Sequence, residues 1–257
     1  MRGKDAMLWV EHENSLTLDM YTKSSNFTQL KEKTLEVLQT KEKIPYVDMI
    51  NGHAYNLWKD KKNPKGLLRR KTLTDYLEDT GDWENVLDLD QLSSQEKVNW
   101  FYRKLNCYRE QQDRCLIYLS EEGKDATSVR EFDLVGKTFV KDGFKFRTSK
   151  SKFMFADLNH LYVADGFDAP NRTSSGYPKV IKVIKRGQTI ENATTIYQGE
   201  YDDVSVSPYD IFDPITGETY AFIYRGLTFY ESEVSLVTKG FKSKKLLVPS
   251  TSEMMTI

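Results

Sequence analysis

A mainly β chain, its strands grouped into repeated sheets behind two short helices, is the fold class this sequence predicts. Three observations predict it. Helical periodicity is confined to the first forty or so residues. From Tyr46 onward, short runs of aromatic and β-branched residues alternate with turn residues. Leading strands open near His53, Cys115, His160 and Tyr220, at an irregular spacing within range of a blade of about 40 to 50 residues. That supports roughly four units, and taken alone it leaves a β-sandwich open beside a β-propeller.

Each element follows from a local pattern. Ala6, Trp9 and Val10 share one face of a first amphipathic helix. Phe27, Leu30, Leu35 and Leu38 recur at helical spacing in a second, with Asn26 as N-cap and Gln29 closing a capping box. Ile44-Pro45 ends the helical region. Strands over 46–50 and 53–58 flank Asn51-Gly52, whose residues both tolerate the positive φ of a type I′ turn. Further strands are predicted over 115–119, 128–134, 160–164, 179–185, 194–198, 220–224 and 233–237, with almost no helical pattern between them.

Composition bounds the function. With 257 residues and 39% hydrophobic content the chain can build a core. Its 37 Lys+Arg against 38 Asp+Glu leave a net charge of -1, which supplies no field for nucleic acid or an anionic membrane. No apolar run approaches the roughly 18 to 20 residues that span a bilayer, and the first residues lack the core of a signal peptide. A cytoplasmic location is the expectation. Cys107 and Cys115 then read as reduced thiols. The sequons at Asn26, Asn171 and Asn192 carry no meaning without export.

A catalytic reading needs a nucleophile and a general base. No G-x-S-x-G elbow occurs, and His12, His53 and His160 are the candidates for a general base. Each reads as structural, no triad assembles, and no catalytic residue is assigned. Metal and cofactor fare alike: the two cysteines lack knuckle spacing, while Asp202-Asp203 and the Asp213 to Gly217 sequence D-P-I-T-G read as turn and strand-edge chemistry. None is expected. The cluster Lys59, Lys61, Lys62, Lys65, Arg69, Arg70 and Lys71, beside Trp58 and Tyr76, could stack a nucleic acid, but the flanking Asp60, Asp75, Glu78 and Asp79 favour a solvated hairpin. The 15 Tyr, 13 Phe and 4 Trp suit packing between sheets. Residues 172–178 (R-T-S-S-G-Y-P) form the best candidate functional loop, against a plainer reading as a connection held by its hydroxyls.

Several stretches carry a family resemblance: 202–207 (D-D-V-S-V-S), 174–178 (S-S-G-Y-P), 129–134 (V-R-E-F-D-L), 6–14 (A-M-L-W-V-E-H-E-N) and 83–89 (W-E-N-V-L-D-L). Together, in order, they resemble the prolyl oligopeptidase-like serine peptidases. The resemblance implies a seven-bladed β-propeller lidding an α/β-hydrolase that cleaves short peptides, often after proline or a basic residue. It makes residues 1–44 an N-terminal helical segment and 45–257 an incomplete propeller of about four blades, with the hydrolase domain absent. The work implied is gating of peptides towards a triad supplied elsewhere. The alternative is a stand-alone propeller fragment that binds proteins or peptides without catalysis. Either way, open sheet faces at the ends of a partial ring predict self-association.

Overall fold

The computed structural model describes residues 3–40 and 42–251. Two helices come first, α1 (Lys4–Tyr21) and α2 (Ser25–Gln39), and neither buries a residue. The N-cap of α2 is Ser24, whose hydroxyl accepts from the Phe27 N–H at 3.2 Å, in place of the expected Asn26. Serine two residues earlier satisfies the same kind of orphan donor.

Four antiparallel sheets follow in sequence. The first holds β1 (Asp48–Ile50), β2 (His53–Trp58), β3 (Leu67–Thr72) and β4 (Glu84–Asp88). The second holds β5 (Trp100–Cys107), β6 (Arg114–Glu121) and β7 (Thr127–Asp133), with β8 (Thr138–Phe139) and β9 (Lys145–Ser149) both paired to β7 as an interrupted fourth strand. The third comprises β10 (Lys152–Asp157), β11 (His160–Ala164), β12 (Val180–Lys185) and β13 (Thr194–Gln198). The fourth comprises β14 (Ser205–Phe212), β15 (Thr219–Gly226), β16 (Ser232–Thr238) and β17 (Lys242–Lys245). Each sheet is a propeller blade, and first strands begin every 52 or 53 residues, at Asp48, Trp100, Lys152 and Ser205.

The four leading strands expected from sequence each fall on the second strand of a blade, so the count of blades stands and their phase moves by one strand. The cause is burial. A second strand has neighbours on both edges and both faces, so β6 is buried from Cys115 to Ser120 and reads as a continuous apolar run, whereas the first strand β5 keeps Arg103 and Lys104 exposed. The Asn51-Gly52 turn has φ of 45° and 71°, as expected for a type I′ hairpin. Two short helices do interrupt the strands, α3 (Leu73–Leu77) and α4 (Leu89–Glu96). Both are started by side-chain caps that the strand pattern conceals: Thr72 Oγ1 accepts from Asp75 N and Asp88 Oδ1 from Gln91 N.

The core lies between blades, and strand alternation divides it. On β6, Cys115, Ile117 and Leu119 face blade one, packing with Tyr55, Leu68 and Leu89. Leu116 and Tyr118 point the other way, into blade three. On β11, Leu161 and Val163 face blade two, while Tyr162 and Ala164 face blade four. Tyr118, Phe132, Phe144, Phe146, Phe153 and Phe155 are thus inter-blade core, whereas other aromatic residues, Tyr177, Tyr201, Phe229 and Tyr230 among them, stay exposed.

Cys107 and Cys115 form a disulfide, which corrects the expectation of free thiols. A separation of eight in sequence is closed because β5 and β6 pair antiparallel with these two residues directly opposite, Cα atoms 3.8 Å apart. The edge strand β17 carries three lysines in four exposed residues, a charge pattern that disfavours further strand pairing.

Four strand positions per blade mean that the chain enters and leaves each blade at the same end. All inter-blade links therefore share one end of the propeller with the loops β2–β3, β6–β7, β11–β12 and β15–β16. We call this the link end, and its opposite the far end.

Candidate functional site

The link end brings together two of the motifs singled out in the sequence. Residues 172–178 join β11 to β12, and 199–204 link blade three to blade four. Ser174 N donates to Tyr201 O at 2.7 Å, Ser175 Oγ to Val204 O at 2.9 Å, and Val206 N to Pro178 O at 2.8 Å. Thr173 Oγ1 also reaches Val204 O, and Arg172 donates to the carbonyls of Gly166 and Phe167. The loop is a tied connection, and its hydroxyls do the tying.

Asp203 stands apart from its expected strand-edge role. Its carboxylate is buried, receives Arg225 through Nε at 2.8 Å and Nη2 at 3.0 Å, and accepts from Glu200 N at 2.7 Å. Hydrogen bonding to Asp203 holds the Arg225 guanidinium protonated, its pKa raised. Such a pair is invisible to sequence because 22 residues separate its members. The link has room for it only because residue 199 is glycine: a Cβ there would stand 2.5 Å from Asp203 Oδ2 and 2.8 Å from Val206 Cγ2.

Around this tied core the link end exposes aromatic surface. Tyr177 and Tyr201 are exposed, with Lys150 and Lys179 ammonium groups 4.8 and 6.0 Å from their ring centres. Phe229 and Tyr230, on the β15–β16 loop, are 92% and 90% exposed. These rings leave apolar surface in water, where burial against another surface would be favourable.

The remaining candidates separate. His12 lies on α1, His53 opens β2 with Nδ1 2.9 Å from Asn51 O, and His160 opens β11 with Nδ1 3.0 Å from Asp157. Among the described residues no histidine hydrogen-bonds a serine. Asp213 caps the β14–β15 turn, accepting from Ile215 N at 2.9 Å, which is the turn role expected of it.

The basic cluster is only partly solvated, a correction to the hairpin reading. Lys61 and Lys62 are exposed, but the Arg69 guanidinium is stacked between Trp58 and Trp83, 4.0 and 4.3 Å from their ring centres. Burial lowers its pKa to about 10. Lys71 is buried and donates to Thr80 O, and Arg70 bonds Glu84, Tyr55 and the Leu134 carbonyl of blade two. Alternation along β3 points these side chains into the blade and its neighbours, so they act in assembly. No helix of the described residues is long and apolar enough to cross a membrane.

Residues 1–210 match the model of the prolyl oligopeptidase N-terminal β-propeller domain. The chain is 34% identical over 96% of its length to an uncharacterized peptidase, y4nA, of Sinorhizobium fredii, and 27% identical over 98% to another, RP174, of Rickettsia prowazekii. It spans 34% and 36% of those relatives' lengths. Among solved structures, a post-proline cleaving enzyme from Rickettsia typhi is 28% identical and superposes with a TM-score of 0.87 over 97% of this chain and 38% of its own. Prolyl endopeptidases at 15% identity share the fold, with a TM-score of 0.67.

Proposed function

The chain belongs to the prolyl oligopeptidase family as its N-terminal propeller portion, and from that premise we propose that it gates the access of short peptides to a serine-endopeptidase domain that this chain does not contain. In this reading residues 1–44 are a helical segment and 45–257 an incomplete propeller.

One observation carries the reading. Every inter-blade link, the entry into β1 and the exit from β17 lie at the link end, so sequence joined on either side of the propeller departs from there. A hydrolase domain connected in this way sits over Tyr177, Tyr201, Phe229 and Tyr230, which gain by being covered. The apolar residues of α1 and α2, Trp9 and Leu30 among them, need a similar cover. The propeller then acts as a size filter, because extended peptides pass where folded proteins do not.

Fluorophosphonate capture of active serines from the native cell tests this. Peptides of this chain in a labelled band far larger than 29.9 kDa are expected. Their absence from every labelled band contradicts the gating role and leaves a binding scaffold.

A further inference from the structure

At the far end, opposite the surface just described, a cavity of about 520 Å³ opens between blades three and four. One wall is apolar, formed by Val183, Ile196 and the Phe241 ring. Its mouth carries Lys185 and Lys242, both exposed and neither paired with a carboxylate among the described residues. Thr195 and Ser243 add hydroxyls, and the described lining holds no acidic side chain. His160 also lines it, held by the Asp157 carboxylate 3.0 Å from Nδ1.

Phe241 is the informative residue. It follows Gly240 in the β16–β17 turn and sits at φ 59°, in the left-handed region that aromatic side chains rarely adopt. Packing against neighbouring residues has to hold it there. Glycine or asparagine would make the same turn without strain. The ring it delivers lies 5.5 Å from His160 and 5.9 Å from Tyr162, centre to centre, across the blade junction. There the ring packs against the buried Met154, Tyr162 and Val183 cluster and closes the apolar wall of the cavity.

We propose that this cavity binds a small organic anion, an apolar group carrying a carboxylate. The apolar wall takes the hydrophobic group, and Lys185 and Lys242 take the charge as two mobile ammonium groups. The volume is within the range of small-molecule sites. The proposal is independent of the gating role.

The test is a titration of the isotope-labelled chain followed by amide NMR, with N-acetyl-L-phenylalanine, its neutral amide, and inorganic phosphate as probes. Saturable shifts at Thr195, Gly240 and Phe241 are expected with the carboxylate, and at least tenfold weaker binding of the other two. K185Q/K242Q weakens the carboxylate at least tenfold while amides of blades one and two stay in place. Phe241→Gly keeps the turn, removes the ring and abolishes the shifts. Equal binding of the amide, equal binding of phosphate, unsaturable shifts, or unchanged affinity in K185Q/K242Q overturns the proposal.

Discussion

The junction between blades two and three and the outer face of blade four are built from the same residue types and end in opposite states. At the junction Phe146 and Phe153 stack with centres 4.2 Å apart, Phe144, Phe155 and Phe167 complete a buried cluster, and burial pushes the Tyr118 phenol up to about 12 while its hydroxyl bonds the Phe153 backbone. On blade four, Tyr209 and Phe222 also stack, at 5.3 Å, with Leu236 opposite Phe222 on the next strand. Yet Ile211 and Tyr220 on that face remain exposed, because no blade covers it. Aromatic strands define a blade, but only the next sheet turns their inner face into core.

The charges repeat the contrast. Glu131, fully buried at the junction, is held bidentate by Arg186 of blade three at 2.6 and 2.9 Å and accepts from Phe144 N. The open face offers no comparable clasp among the described residues. Burial of a carboxylate on this scale is tolerated only where every lone pair is used.

Phe153→Ala should destabilise by about 3 to 5 kcal/mol in urea unfolding, and Phe222→Ala by about 1, since only the first leaves a cavity. Similar losses at both would erase the distinction between closed and open faces. Glu131→Gln should cost about 3 kcal/mol by stranding Arg186, read in the same experiment. A Cβ at position 199 overpacks the blade three to four link, so Gly199→Ala should cost about 1 to 3 kcal/mol; an unchanged midpoint would mean that Asp203 moves freely.

The smallest effect concerns acid. Hydrogen bonds from Lys137 and Arg70 hold the Glu84 carboxyl at about 2 against 4.5 when free. A depressed pKa contributes stability above about pH 4.5 that is lost as pH falls towards about 2. Glu84→Gln should flatten the acid limb of the stability curve in that window, lowering stability at neutral pH by less than about 1 kcal/mol, because the pair is half exposed, and leaving the two proteins alike near pH 2.

What was legible in the sequence is the blade, and what was hidden is the joint. His53–Trp58, His160–Ala164 and Thr194–Gln198 are strands at their expected limits because apolar runs and turn residues are local signals. First strands such as β5 and β14 were missed because polar residues, and in β14 Pro208, break the run. Pairs set by register and packing leave no spacing to read: Asp203 of a link with Arg225 of blade four, Glu131 of blade two with Arg186 of blade three, and Cys107 with Cys115 across one hairpin. The loop at 172–178 was singled out from its composition, but its bonds to Val204 and Tyr201 required the fold.

The most direct test of this account is sedimentation velocity of the chain across a hundredfold range of concentration, beside Phe222→Asp. The open blade-four face predicts concentration-dependent association in the parent chain and a monomer in the variant. A parent chain that stays monomeric throughout, with cooperative unfolding, would contradict the claim that this face is an unfinished blade junction.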